Sequence, residues 1–120
     1  MPLPDDDRLV LLHNPRCSKS RAARALLEER GADFEERRYL EDALSRDELD
    51  DLRARLDRPP GDWVRKGESA YADACLGSGS AEAEILDAMA AHPILIERPI
   101  LVRGSRALVG RPPEEILRLL

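Results

Sequence analysis

Aromatic side chains are nearly absent from this chain: one Trp, two Tyr and one Phe, 3% of its 120 residues. A core of stacked rings is excluded, so Leu, Ile, Val and Ala must supply it. At 42% hydrophobic residues there is enough apolar material to argue against global disorder. Cysteine is scarce too. Cys17 and Cys75 cannot make a disulfide-rich secreted scaffold, and without a C-x-x-C pair a structural zinc site is not expected. No apolar run approaches the ~20 residues that a bilayer span requires; the longest are Leu9 to Leu12 and Pro93 to Ile96. The start, MPLPDDDRLV, has neither the positive segment nor the apolar stretch of a signal peptide. These absences predict a cytoplasmic protein with reduced thiols and no membrane partner.

Lysine is the other shortage. Of 19 basic residues 17 are Arg, set against 24 acidic ones for a net charge of −5. That balance argues against a dedicated nucleic-acid binder. Arginine's planar fork can still build a local anion site in an acidic chain. The length suits one domain, residues 1–120, with residues 1–7 expected as a flexible lead.

The pattern along the chain predicts β-α-β, a helical insert, then β-β-α. Leu9 to Leu12 read as a buried strand. Ser18 to Arg30 read as a helix with Ala22, Ala25, Leu26 and Leu27 on one face, and Gly31 sits where such a helix stops. Phe34 to Tyr39 read as a second strand, parallel to the first through a βαβ unit. Ser45 and Glu48 form a capping box ahead of the stripe Leu49, Leu52 and Leu56, with Pro59, Pro60 and Gly61 as the stop. Asp62 to Lys66 suggest a short helical turn, and residues 67–80 an irregular stretch. Ser80 is placed as the cap of a helix from Ala81 to His92 that buries Ile85, Leu86 and Met89, with His92 at its C-terminus. Trp63 is expected to pack the insert against the core. Ile100 to Val102 and Ala107 to Val109 flank a Gly104-Ser105 turn as a hairpin. A last helix from Pro112 and Pro113 should turn Ile116, Leu117 and Leu120 inward. This order is that of a thioredoxin-like α/β fold with a mixed central sheet.

The chemistry concentrates in His13-Asn14-Pro15-Arg16-Cys17-Ser18-Lys19-Ser20-Arg21. A sulfur between a strand and a helix faces the free N–H groups and positive dipole end of that helix. Arg16, Lys19 and Arg21 add nearby positive charge, and the hydroxyls of Ser18 and Ser20 are candidate donors. All of this favours the thiolate, and the same setting attracts an oxyanion. A nucleophile and an anion site in one loop suggest thiol attack on an oxyanion or a disulfide. A dithiol redox site would need cysteine at position 20, which is Ser20. A phosphatase-type Cys-x5-Arg loop would need arginine at position 23, which is Ala23. A single-thiol enzyme resolved by an external thiol remains. His13 suits a structural role or an imidazolium that tunes the sulfur.

This loop resembles the active-site loop of the glutaredoxin-dependent arsenate reductase family, whose pattern runs H-N-P-x-C-x-x-S-R. Tyr39-Leu40, Val64-Arg65-Lys66, His92-Pro93-Ile94-Leu95-Ile96 with Arg98-Pro99-Ile100, and Gly110-Arg111-Pro112 resemble further family segments in the same order, over about residues 8–120. The resemblance implies Cys17, Arg65, Arg98 and Arg111 as catalytic residues. It implies His13, Asn14, Arg16, Ser18, Lys19, Ser20, Arg21 and Pro99 as substrate-binding or thiolate-tuning ones, with Arg98-Pro99 cis beside the cysteine. It further implies arsenate or a similar small oxyanion as substrate, glutathione as co-substrate, glutaredoxin as partner, and neither a bound cofactor nor a metal. Ser18-Lys19 stands where the family commonly has Gly-Thr, and Cys75 lies outside the pattern as a loop or core thiol, or in a second reading as a resolving cysteine that would make glutaredoxin unnecessary. Two other readings are a glutathione-dependent thiol reductase and an Spx-like regulator that binds RNA polymerase. In each case the acidic surplus is expected on faces away from the thiol.

Overall fold

The computed structural model describes residues 3–120. Four short strands form one mixed sheet: β1 (Leu9–Leu12), β2 (Phe34–Arg37), β3 (Ile100–Arg103) and β4 (Arg106–Val109), in spatial order β2-β1-β3-β4. β1 pairs parallel with β2 and antiparallel with β3, and β3 turns back on β4 through Gly104, whose φ is 58°. Both faces of the sheet are covered. This is why β1 is an unbroken apolar run and not an alternation. Val10, Leu12, Ile100, Val102 and Ala107 face the larger core, and Leu9, Leu11 and Leu101 the smaller.

The smaller core is closed by helix α1 (Ser18–Glu29) and by the last segment, Pro113–Leu119. α1 ends as expected: Gly31 adopts φ 65°, and its N–H reaches the Glu28 carbonyl at 3.0 Å. Its buried face is not the expected one. Ser20, Ala23 and Leu27 point inward while Ala22 and Ala25 are exposed. The stripe is rotated because Ser20, though polar, has partners inside. The last segment is a 3-10 helix and not an α-helix, with three residues per turn. That period buries Ile116 and Leu119, leaves Leu117 half-buried and exposes Leu120.

The larger core is covered by the insert: α2 (Arg46–Leu56), α3 (Ser69–Asp73) and α4 (Glu82–Ala91). Leu49, Leu52, Leu56, Ile85, Leu86 and Met89 are buried as the spacing requires. Trp63 is fully buried in this core, its indole N–H donating to the Arg58 carbonyl at 3.2 Å. Four local expectations shift. α2 stops at Leu56, where Asp57 turns left-handed (φ 52°) ahead of the prolines. The short turn lies at Pro60–Asp62, because Val64 is drawn into a bridge with Ile96. The stretch 67–80 contains α3, whose Ala70 and Tyr71 lean on the core. Ala81, not Ser80, caps α4; its N–H donates to Glu84, while Ser80 Oγ accepts from the Gly77 N–H.

The lead is tied down and not free. Leu3 is buried in the larger core, the Pro4 carbonyl accepts from Arg55 at 2.7 Å, and the Asp6 carbonyl accepts from the Gly104 N–H. For residues 1 and 2 the expectation lies outside the described residues.

One ion pair locks the insert to the sheet. Arg37, the last residue of β2, meets the carboxylate of Glu48 with both shielded from water. Glu48 also closes the capping box: its N–H donates to Ser45 Oγ (3.1 Å) and its Oε1 accepts from the Ser45 N–H (3.0 Å). Breaking such a pair strands a partly buried charge. Glu48→Ala should therefore cost about 2–4 kcal/mol in denaturant unfolding, cap loss included. A change below ~0.5 kcal/mol, the surface norm, would contradict this account of α2.

Candidate active site

The turn after β1 is held by side chains that the loop sequence supplies. Asn14 is buried; its Oδ1 accepts from the Arg16 N–H and its carbonyl from the Cys17 N–H, each at 3.0 Å. Its own N–H donates to Ser20 Oγ at 3.0 Å. That leaves the Ser20 hydroxyl proton for His13 Nδ1, 2.8 Å away. The other ring nitrogen of His13, Nε2, lies 3.9 Å from Glu36 Oε1. Burial pushes the imidazole pKa down; Glu36 opposes this, while Arg24, Arg38 and Arg21 add to it. Burial thus favours the neutral imidazole, which packs against Ser20 inside the turn.

Cys17 is the N-cap of α1, with extended backbone. Partial burial alone would raise its thiol pKa. The N–H of Ser20, the hydrogen bond and charge of Arg98, and the N–H of Lys19 outweigh that, so the pKa falls below the ordinary value. The source differs in part from the one expected. Ser20 acts through its backbone N–H while its hydroxyl serves His13. Arg16, Ser18, Lys19 and Arg21 are exposed, and Arg21 donates to the Pro15 carbonyl at 2.9 Å. The guanidinium that bears most on the thiol comes from the far end of the chain.

Two backbone junctions bring the distant arginines together. The Val64–Ile96 bridge is flanked by Arg65 N–H to Leu95 carbonyl (2.7 Å) and Glu97 N–H to Trp63 carbonyl (2.9 Å), which sets Arg65 beside Glu97 and Arg98. The second joins the start of β3 to the end of β4. Gly110 N–H donates to the Pro99 carbonyl at 2.7 Å, and Arg111 Nε to the Arg98 carbonyl at 3.0 Å. Gly110 is required there, since a Cβ would stand 2.7 Å from Pro99 Cγ and 3.0 Å from Ile116 Cγ2. Arg98-Pro99 is cis, as the resemblance implied, and so is Arg111-Pro112.

The three arginines do not stand alone. Glu97 Oε1 accepts from Arg65 Nη1 (2.7 Å) and from the Arg98 N–H (3.2 Å), and lies 3.0 Å from Arg111 Nε. Glu68 Oε1 accepts from Arg65 Nε at 3.2 Å and lies 3.9 Å from Arg98 Nη1. These two of the 24 acidic residues thus stand among the site's arginines, while the expectation concerned the acidic surplus as a whole. Arg98 Nε and Nη1 are buried with no hydrogen-bond partner among the described residues, as is the Tyr39 hydroxyl. Burial pushes the Tyr39 phenol up to about 12, and the charges of Arg98, Arg65, Cys17 and Glu97 all act on it, so it faces this same cluster. Tyr39 was visible in the sequence only as part of a matched motif. Cys75 is exposed in a left-handed loop position (φ 59°).

A thioredoxin-like domain with one activated sulfur at the head of α1, and arginines gathered around a cis-proline, defines the class. Residues 12–119 match the ArsC family, and the chain belongs to it. It is 40% identical over 110 residues to the arsenate reductase of Neisseria meningitidis serogroup A, covering 90% of this chain and 94% of that one. To the arsenate reductase of Haemophilus influenzae it is 36% identical over 114 residues, covering 93% and 98%. The solved structure of the arsenate reductase from Vibrio cholerae superposes with a TM-score of 0.89 at 40% identity, covering 96% of this chain and 99% of that one. No helix among the described residues is long and apolar enough to cross a membrane.

The state of His13 has a thermodynamic consequence. Its pKa is lower folded than the ~6.5 expected unfolded, so the unfolded chain binds more protons as pH falls through that value. Stability should decline from pH 7 toward pH 5, and His13→Asn should lose this slope. Equal slopes for the two proteins in urea unfolding would show that the imidazole is not held neutral.

Proposed function

We propose that this protein reduces arsenate to arsenite through a single cysteine thiolate, with glutathione and glutaredoxin as electron donors. The observation that carries the reading is the Arg98 guanidinium against a Cys17 sulfur whose thiolate is favoured, in a chain of the ArsC family. Relatives named arsenate reductase support the same substrate.

Arsenate carries one to two negative charges near neutral pH. Arg98 Nε and Nη1 are buried and make no hydrogen bond within the described residues, Nη1 lying 3.9 Å from Glu68 Oε1, and guanidinium groups bind oxyanions with charge-assisted bonds. Donors aimed at the oxygens stabilise the charge that builds on them as sulfur attacks arsenic. The thiolate displaces one oxygen, an As–S bond forms as an As–O bond breaks, and the oxygen leaves as water with protons from solvent and the incoming thiol. Glutathione replaces a second oxygen, which leaves as water. The glutaredoxin thiolate attacks the glutathione sulfur, forming the mixed disulfide as the S–As bond breaks and its electron pair reduces arsenic. One water then hydrolyses the Cys17–As bond and releases arsenite. Overall two thiols become one disulfide, arsenic(V) becomes arsenic(III), and one water is released, so atoms and electrons balance. Phosphorus(V) is not reduced by thiols, which makes phosphate an unreactive competitor.

No second thiol lies beside Cys17 in sequence, because Ser20 occupies the dithiol position. Cys75 is left as a surface thiol outside the reaction. In a coupled assay with arsenate, glutathione, glutaredoxin and NADPH, Cys17→Ser should lose at least ~10³-fold in turnover, the scale of removing a nucleophile. Cys75→Ala should stay within about twofold of wild type. Loss of activity in Cys75→Ala would overturn the single-thiol mechanism, and no arsenate turnover by wild type would overturn the substrate.

A further inference from the structure

We propose that Glu97 is a built-in competitor for the oxyanion: its carboxylate engages donors that the substrate must take over, and so sets how tightly the site binds anions. The inference rests on the oxyanion reading above. One carboxylate oxygen, Oε1, gathers Arg65 Nη1, Arg111 Nε and the Arg98 N–H within 2.7–3.2 Å. A charged oxygen in an arginine fork is what an arsenate or phosphate oxygen would be. Glu68 engages Arg65 Nε in the same way. Among fully buried donors of the described residues, Arg98 Nε and Nη1 and the Tyr39 hydroxyl make no hydrogen bond.

An arriving oxyanion can therefore meet Arg98, Tyr39 and the head of α1 at once. It gains the Arg65 Nη1 donor, and the full charge of Arg111, only when Glu97 lets go. Three guanidinium charges facing two carboxylates and a thiolate leave no formal surplus to draw in a dianion, so the carboxylates lower affinity until one is displaced. Glu97 has room to move. Its side chain is 22% exposed, and it borders two open polar depressions, one shared with Arg65, Lys66 and Gly67 and the other with Asp62, Leu108 and Arg111. Its backbone stays pinned by the Trp63 carbonyl, so the carboxylate can turn outward without moving Arg98-Pro99.

The alternative role, a strut that merely aims the arginines, predicts the opposite sign. Removing a strut scatters the arginines and weakens anion binding, whereas removing a competitor strengthens it. Glu97→Gln keeps a carbonyl oxygen to accept from Arg65 and Arg98 while deleting the charge. Calorimetric titration of the full chain with inorganic phosphate, the unreactive probe, should show Glu97→Gln binding at least ~10-fold tighter than wild type, the scale of one charged hydrogen bond no longer contested. The KM for arsenate should fall in parallel. Trp63, the sole tryptophan, gives an independent fluorescence signal. If Glu97→Gln melts well below wild type, Glu97→Asp carries the test: it draws the carboxylate back by one methylene and should also tighten phosphate. Equal or weaker phosphate binding in the folded variants overturns the competitor role and leaves Glu97 a strut. Binding of neither phosphate nor arsenate to any of these proteins overturns the oxyanion reading, and the competitor with it.

Discussion

A guanidinium from the residue before a cis-proline meets a sulfur at the head of a helix, and most of the structure serves that meeting. The sulfur's position depends on β1 ending where its apolar run ends, and on Asn14 and Ser20 bending the chain so that α1 begins at Cys17. The guanidinium's position depends on β3 lying antiparallel beside β1, which brings Arg98-Pro99 to the same edge of the sheet as the β1–α1 turn. Gly110 lets the end of β4 approach Pro99 closely enough to fix that edge. Burial works against the thiolate, and only the helix N–H groups together with Arg98 reverse it.

Around this contact the protein balances charge instead of accumulating it. The arginines are met by Glu68 and Glu97, the cap of α2 by Arg37, and the buried Arg55 by Asp51 and two carbonyls. An acidic chain with many arginines thus becomes a set of local pairs. Among the described residues few buried side-chain donors lack a hydrogen bond, and Arg98 holds two of them. Such a site suits a small, dense oxyanion better than a long polyanion, which would meet the acidic exterior first.

Much of this was legible from residue order. Short apolar runs marked β1, β3 and β4, Ser45 and Glu48 marked the start of α2, and Gly31 marked the end of α1, because each depends on neighbours a few positions away; β2, Phe-Glu-Glu-Arg, has no such run and ends at Arg37, short of the expected Tyr39. What was hidden depends on three-dimensional company. The buried face of α1 follows Ser20's partners across the turn, not its own apolar count. The 3-10 period of the last segment, which moves Leu119 inward and Leu120 outward, is set by packing on the sheet. The charges flanking Cys17 suggested local activation, yet their flexible side chains reach into solvent while Arg98 is delivered by topology. Glu68 and Glu97 carried no signal, since among 24 acidic residues nothing local distinguishes the two that enter the site.

Arg98 and the backbone at the start of α1, not the neighbouring cations, lower the pKa of the Cys17 thiol. The most direct measurement is the pH midpoint of Cys17 ionisation, read from thiolate ultraviolet absorbance with Cys17→Ser as the blank. Wild type should titrate below the free-cysteine value of ~8.5. Arg98→Ala should move the midpoint upward, and Arg16→Ala and Lys19→Ala should leave it nearly in place. An ordinary midpoint in wild type, or a larger shift from Arg16→Ala than from Arg98→Ala, would contradict the account.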